Sequence, residues 1–417
     1  MSYKEKVSIS FRNSCRSCQS NRLVRILSFS QMPLVDQWMD AVSLGGEFLA
    51  DCNIYACEDC KLVQTQHDVD LREYYDQYQY STGSAKLTVK FTESIAAVLT
   101  ERYFPDPNHV KVLEIGSGDG SQLMVFKEKG YEVLGCEPSA NLTKIAMEKG
   151  VPTVHGLINS DSMSRILSHS KKVDMVFLSH TFDHLSDPQD FLQMTRSILN
   201  LSKGILVIEV HNLQEIFLNR EYCLFSHEHP IYLTKETVQS VLSKSGFAVI
   251  DFDIVPEHSR RANSLIFVAA DIKSERLLKA SVRQVGSDIN SADFFKKQSA
   301  DIQKGIKNLE DFIDQMSMKG VRIAGYGASA RGVLTLAAIN NSAKIEYLVD
   351  KNAKNKQLYS PKSHLPIVGL DKLEESPVGC IIVFSYGYIE EIRQSCQERG
   401  YATEQLYSII DIMNNDI

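Results

Sequence analysis

No window of this 417-residue chain approaches the roughly 20 consecutive apolar residues that a membrane-spanning helix needs. Residues 1–20, MSYKEKVSISFRNSCRSCQS, hold no uninterrupted apolar segment of the kind a secretory signal uses, so a cytoplasmic location is expected. Positive charge is also scarce. Lysine and arginine total 45 against 52 acidic residues, a net charge of −7, and no long basic run occurs, which argues against nucleic acid as a partner. A disulfide framework is not expected either, because in a reducing compartment the nine cysteines are thiols or metal ligands. The chain does have length: 417 residues exceed one core and suit two or three domains.

Four of the cysteines are paired as Cys15-Arg-Ser-Cys18 and Cys57-Glu-Asp-Cys60. One C-x-x-C motif is compatible with redox chemistry, but two favour metal, since they supply four thiolates to one tetrahedral zinc. The intervening segments LVRILSF, PLVDQWM and CNIYACEDCKLVQ read as β-rich. A closed four-thiolate sphere leaves no open position for catalysis, so the zinc is structural. It would fold an N-terminal β domain, taken as residues 1–75, whose own core is small.

The next landmark is VKVLEIGSGDGSQLMVFKEKGYEVLGCEPSANLTKIAMEKG, residues 110–150. A buried strand runs into Gly116-Ser-Gly118-Asp-Gly120, an amphipathic helix follows, and a second strand ends at Glu137. Glycines let backbone approach a ligand closely, and an acid about twenty residues past the first glycine can take two ribose hydroxyls. G-x-G-x-G alone is a weak signal; Glu114 before it and Glu137 after it strengthen it. The combination resembles class I S-adenosylmethionine methyltransferases rather than NAD enzymes. That resemblance implies that Glu114 reads the amino-acid end of the sulfonium ligand, with Gly116, Gly118, Gly120 and Glu137 around the rest. Further strands are read in VDMVFLSHTFDHLSDP and KGILVIEVHN, a helix in LTKETVQSVLSKSGF, and an antiparallel closing pair in FAVIDFDIV and SLIFVAAD. The methyltransferase domain is placed at 76–273.

Between that fifth strand and the helix lies LFSHEHPIYLT, residues 224–234. His227 and His229 flank Glu228, a spacing at which two histidines converge only from a strand or an irregular turn. Pro230 disfavours helix at the residue before it. Metal binding, proton transfer and a solvated loop all remain open on spacing alone.

Residues 274–319 carry apolar positions at helical spacing and read as one or two connecting helices. VRIAGYGASARGVLTLAAIN, residues 321–340, repeats the strand–glycine turn–helix device, and IEYLVD and GCIIVFSYGYIEEIRQSC extend it to a second, smaller Rossmann-like domain within 274–417. Gly325 and Gly327 either admit a nucleotide's phosphates at a helix N-terminus, with Arg331 nearby, or serve close packing.

Taken together, the fold class is α/β: a class I methyltransferase Rossmann-like domain between an N-terminal zinc-binding β domain and a C-terminal Rossmann-like domain. The cysteine pairs, E-x-G-x-G-x-G, Glu-His after strand five and GYGASAR resemble, over nearly the whole chain, the sugar C-methyltransferases that act on nucleotide-linked 4-keto deoxyhexoses. The resemblance implies S-adenosylmethionine and structural zinc as cofactors, and a nucleotide sugar as partner of a monomer or homodimer. It implies methylation of the carbon beside the ketone, C-3, through an enolate. It puts Glu228 and His229 beside the sugar, with His229 the base and Glu228 orienting its imidazole. His184, or Tyr80 in QYQYSTGSA, would stabilise the enolate oxygen. His180, where the family often has asparagine, is expected at the cofactor; Ser226 stands where tyrosine is common, and HSRRANS where an HGGS-like stretch is expected. Two alternatives are O- or N-methylation of a related sugar and a non-catalytic nucleotide-sugar-binding module.

Overall fold

Seven short strands between residues 111 and 271 assemble the central layer. They are β1 (Lys111–Ile115), β2 (Glu132–Glu137), β3 (Thr153–His155), β4 (Met175–Ser179), β5 (Ile205–His211), β6 (Phe247–Phe252) and β7 (Ser264–Asp271). β4, β5 and β7 are apolar on both faces and almost wholly buried, as expected of strands covered by helices on both sides. The order is β3-β2-β1-β4-β5-β7-β6, parallel except where β7 pairs antiparallel with β5 and β6. The expected closing hairpin is therefore present. The helices between strands start where polar side chains cap them. Ser139 accepts from Leu142 N, Asp187 from Asp190 N with Pro188 in the first turn, and Thr234 from Thr237 N. Strand order reverses between β1 and β4, which opens a crevice at their carboxyl ends.

The structure is a computed structural model that describes residues 7–35, 38–76, 86–256, 260–261, 263–278, 292–353 and 357–415. Tyr80 lies outside the described residues.

The flanking sheets borrow strands across the chain. Leu23–Pro33, Leu49–Cys57 and Val63–Thr65 form an antiparallel sheet that Ile231–Tyr232, just past the HEH segment, completes. The C-terminal sheet runs Leu406–Ser408, Cys380–Val383, Ile323–Tyr326, Tyr347–Val349, Pro366–Val368, Leu358–Tyr359, and its last strand is Met39–Asp40 from the N-terminal segment. Residues 274–319 contain one 27-residue helix, Ala292–Met318. It is not a surface arm: Ile302, Leu309 and Ile313 are fully buried in a core shared with Leu27 and Phe29 of the N-terminal sheet and Leu334 and Ile382 of the C-terminal part. At about 25 cal/mol per Å² of apolar surface, such a shared core fixes the three parts against one another.

Candidate active site

The crevice at the β1/β4 switch point deepens into one cavity of about 420 Å³ that all three parts of the chain line. Its first wall is the glycine turn. Gly116, Gly118 and Gly120 have φ of +70°, +54° and +75°, and a Cβ on Gly116 would stand 2.3 Å from Thr181 Oγ1. Glycine is required there by both conformation and space. Glu137 closes the wall: Oε2 accepts from Gly118 N at 2.7 Å and Oε1 from Ser139 N at 2.9 Å. Each carboxylate oxygen has a second lone pair, so both remain able to accept from a ribose. Burial raises the Glu137 carboxyl above its ordinary range, against the pull of those two backbone N–H groups.

Two expected contacts are corrected here. Glu114 does not line the cavity. It lies fully buried behind the turn, with Oε1 accepting from Gln122 Nε2 at 2.5 Å and Oε2 unpartnered among the described residues. Burial pushes its carboxyl well above the usual range, against the pull of the Gln122 hydrogen bond. Gly120 is likewise outside the lining; it serves helix packing, with Ala146 Cβ 3.0 Å from where a side chain would begin.

The second wall is made of histidines at the ends of β4 and β5 and in the HEH segment. His180, His184, His211 and His229 all line the cavity. The ring of His229 stands 4.6 Å from that of His184 and 5.1 Å from that of His211, centroid to centroid. Nδ1 of His229 lies 3.1 Å from the carbonyl oxygen of Leu224, which can only accept, so Nδ1 carries the proton and Nε2 keeps a lone pair. Glu228 does not orient this imidazole. Its Oε1 accepts from Val35 N at 2.9 Å, 193 residues away in sequence, while Oε2 is buried and unpartnered among the described residues. His184 Nδ1 is 2.8 Å from the Tyr75 hydroxyl, and burial with the neighbouring His229 pushes this imidazole down to about 3. His227 faces the other way. It sits buried in the N-terminal part, its Nδ1 2.8 Å from His67 Nε2 and its Nε2 3.0 Å from Met32 O. Residues 227–228 form a turn, and this irregular backbone, rather than the one-face spacing of a strand, sends the two histidines to different sides.

The third wall comes from the C-terminal part, through Ser329, Ala330 and Arg331 at the start of helix Ala330–Ala338 and through Gly387 and Tyr388. Gly325 and Gly327 are not in the lining. A Cβ on Gly325 would lie 2.6 Å from both Leu348 and Phe384, and one on Gly327 2.3 Å from Ser385 Oγ, so these glycines serve close packing. Arg331 does reach the cavity, stacked over Tyr386 at 5.3 Å with Nε 3.5 Å from the buried Glu221.

Sequence reading missed Asp183, His211, Tyr75, Glu209 and Arg261. His211 Nδ1 is 2.9 Å from Asp183 Oδ2, and Arg261 joins Ser179 and the fully buried Glu209, each at 2.5 Å. The available signal was polar and charged residues at the carboxyl ends of strands in an open α/β sheet. The four cysteines converge as expected: Cys15 and Cys60 sulfurs are 3.5 Å apart, Cys18 and Cys57 likewise, and all four lie within 4.8 Å.

Residues 15–75 match a zinc binding domain family, 89–251 a methyltransferase domain family, and 268–409 the C-methyltransferase C-terminal domain family. The C-methyltransferase NovU of Streptomyces niveus is 22% identical over 387 residues, 91% of each chain. The chain is thus similar to C-methyltransferases along most of its length. A shorter similarity, 24% over 163 residues, joins 38% of this chain to 60% of the tRNA 5-carboxymethoxyuridine methyltransferase of Escherichia coli (strain K12). The magnesium protoporphyrin IX methyltransferase structure from Synechocystis PCC 6803 with bound SAH overlays 48% of this chain and 92% of its own, with TM-score 0.35 and 14% identity.

Both cofactors of this S-adenosylmethionine-dependent methyltransferase fit the residues present. A zinc–sulfur bond of about 2.3 Å gives a tetrahedron edge of about 3.8 Å, close to the observed sulfur spacings. Cys15, Cys18, Cys57 and Cys60 therefore hold zinc. The buried Arg16 ties that knuckle to the methyltransferase part, donating to Asp68, to His67 O at 2.8 Å and to Ser186 O at 2.9 Å. The glycine cradle and the spare lone pairs of Glu137 suit the adenosine end of S-adenosylmethionine. Among the described residues, no helix of the methyltransferase is long and apolar enough to cross a membrane.

Proposed function

We propose that this enzyme methylates a carbon, C-3, beside the ketone of a nucleotide-linked 4-keto-6-deoxyhexose through an enolate, with His229 as the base. The observation that carries the reading is the single cavity running from Gly118 and Glu137, past His229, to Arg331. It spans a cofactor end, a basic nitrogen and an anion-binding end in one enclosure. The C-methyltransferase name of the full-length relative supports carbon over oxygen as the acceptor.

S-adenosylmethionine, when bound, supplies an electrophilic methyl group. The chain's own residues supply the rest. A ketone acidifies the hydrogen on the adjacent carbon, and Nε2 of His229 removes it, because its Nδ1–H is committed to Leu224 O. The electron pair of that C–H bond moves toward the ketone oxygen and then forms the new carbon–methyl bond. His184, accepting the Tyr75 hydroxyl proton at Nδ1, presents Nε2–H to the developing oxygen anion. As a neutral imidazole it polarises the ketone without itself carrying charge. Tyr80, in the segment QYQYSTGSA, is a further donor in this reading. Arg331 and the N-terminal turn of helix Ala330–Ala338 take the diphosphate, since unpaired N–H groups and a guanidinium both favour phosphate. The division of labour follows residues 1–75 for zinc, 76–273 for the cofactor and 274–417 for the nucleotide.

Incubation with S-adenosylmethionine and a panel of TDP-, GDP- and CDP-4-keto-6-deoxyhexoses, read by mass and product NMR, tests the proposal. A gain of one methyl bonded to carbon is expected. A methyl bonded to oxygen or nitrogen, or turnover of none of the sugars, would refute it.

A further inference from the structure

The cluster at the ends of β4 and β5 contains more than acid–base catalysis needs. His180, Asp183 and His211 each place one ligand atom within 4.8 Å of the other two. Two of their atoms, His180 Nδ1 and Asp183 Oδ1, are buried with no hydrogen-bond partner among the described residues. Leaving such atoms unpaired is costly unless something fills the gap between them. The state of His180 is set from its far side. Nε2 lies 3.3 Å from Oε1 of the fully buried Glu209, which is acceptor-only when ionised. The ring therefore carries its proton on Nε2 and leaves a bare lone pair on Nδ1. A carboxylate behind a histidine in this way is the arrangement that orients metal-ligating imidazoles.

We propose that His180, Asp183 and His211 form a binding site for a divalent cation of the manganese, iron or cobalt kind, separate from the four cysteines and opening onto the cavity. Two imidazoles and one carboxylate are the donor set of that class, and three protein ligands leave open positions. The 2.9 Å between His211 Nδ1 and Asp183 Oδ2 is the spacing of neighbouring ligands about 2.1 Å from one ion. A proton bridges those atoms in the metal-free molecule, and the ion takes its place. Asp183 offsets one of the two charges of the cation, and Glu209 is already matched by Arg261, so one positive charge is left for an anionic or polar oxygen ligand. Access is through the cavity, which His180 and His211 both line. His229 stands 5.1 Å from His211, centroid to centroid, so the ion would sit close to the proposed base and an oxygen of the substrate would complete its shell. That last role rests on the proposed keto substrate; binding of the ion does not.

The test uses the zinc-loaded full chain without substrate. Mn²⁺, which thiolates do not favour, is titrated by calorimetry, and the bound ion is examined by pulsed EPR for coordinated imidazole nitrogen. One Mn²⁺ per chain with two imidazole nitrogens is expected, with affinity at least ten-fold weaker in Asp183→Asn and in His180→Ala. Asparagine preserves a hydrogen bond to His211, and the urea midpoint of each variant reports whether it is folded. Absence of Mn²⁺ and Co²⁺ binding by the wild type below millimolar concentration would overturn the proposal. So would a bound ion without nitrogen ligands, or one unaffected by both substitutions. If His211→Ala is then inactive while the wild type binds no ion, Asp183 and His211 are an acid–imidazole pair that handles protons only.

Discussion

Replacing His67 by glutamine isolates one part of this protein's response to acid. His67 is 3% exposed, with Nε2 2.8 Å from Nδ1 of His227, whose Nε2–H is given to Met32 O. His67 therefore donates to His227, and neither ring has solvent to share a second proton with. Burial, then the neighbouring His227 and Arg16, pull His67 down to about 4, while Asp68 opposes. His227 is lowered too, first by burial, with Glu228 opposing. A histidine lowered in the folded state stays neutral while its unfolded counterpart, near 6.5, takes up a proton. Its contribution to stability is thus intact above about pH 6.5 and lost as the pH falls toward 4. For His67 alone the loss is about 1.4 kcal/mol at pH 5.5 and about 2.5 kcal/mol at pH 4.5.

Glu114 and Glu137 work in the opposite direction. Their raised carboxyls keep protons in the folded state that the unfolded chain releases, so they favour the fold as the pH falls. The wild-type curve is a sum of both signs, and only the difference between wild type and variant isolates His67. Glutamine retains a donor for His227 Nδ1 and does not titrate. Urea midpoints at pH 7.5, 6.5, 5.5 and 4.5, with m checked for constancy, should show the variant less stable at pH 7.5. The gap should narrow by about 1.4 kcal/mol at pH 5.5. A gap independent of pH would mean that His67 takes up its proton as readily in the fold as in the unfolded chain, and it would refute a neutral His67 donating to His227.

Other consequences are as direct. Metal analysis should find one tightly held zinc that survives dialysis, and Cys15→Ser should lose it and destabilise the N-terminal sheet; no zinc, with Cys15→Ser harmless, would refute the tetrathiolate. Glu137→Ala should weaken S-adenosylmethionine binding ten-fold or more in calorimetry, since a hydrogen bond to a charged acceptor contributes roughly 1.5–3 kcal/mol; unchanged affinity would put the cofactor elsewhere. His229→Ala should abolish both methylation and exchange of the substrate's C-3 hydrogen with deuterated water, a loss of about 10²- to 10⁴-fold. His227→Ala should chiefly lower stability, and the reverse ranking would move the base to His227. Arg331→Ala should raise KM for the nucleotide sugar at least ten-fold while cofactor affinity holds; equal KM values would remove the diphosphate from this wall.

What was legible in the sequence is what local pattern encodes. An apolar run ending in glycines and followed by an amphipathic helix can fold in few ways, so β1, the turn and Glu137 were readable from residues 110–137. The C-x-x-C pairs were readable because zinc demands a ligand count. Partners far apart in sequence were not readable. Nothing near Glu228 points to Val35 N, 193 residues earlier, and nothing near Asp183 points to His211, which meets it because β4 and β5 are adjacent. The two-residue strands Met39–Asp40 and Ile231–Tyr232 carry no period at all; they exist because an edge with open hydrogen bonds was within reach. Glu114 shows a different limit. Its type and place suggest ligand contact, but a carboxyl behind the turn can also be spent on a buried hydrogen bond from Gln122, and only three-dimensional position separates the two.

The two glycine turns share one device and differ in what it leaves free. Each ends its second strand with an acid that accepts from the backbone of the turn: Glu137 from Gly118 N at 2.7 Å, and Asp350 from Ala328 N at 3.0 Å. In sequence they look alike. Glutamate has one more methylene, and Glu137 reaches the cavity lining while holding the turn; Asp350 holds its turn and the Asn352 N–H and does not line the cavity. The first acid can therefore serve structure and ligand together, and the second is committed to structure. Under the proposed function, recognition on the C-terminal side comes from what does reach the cavity, the Arg331 guanidinium and the opening turn of its helix, which are groups that favour phosphate. On the proposed reading, one methylene thus assigns the two Rossmann-like halves to opposite ends of a shared site: cofactor ribose at one, nucleotide phosphate at the other.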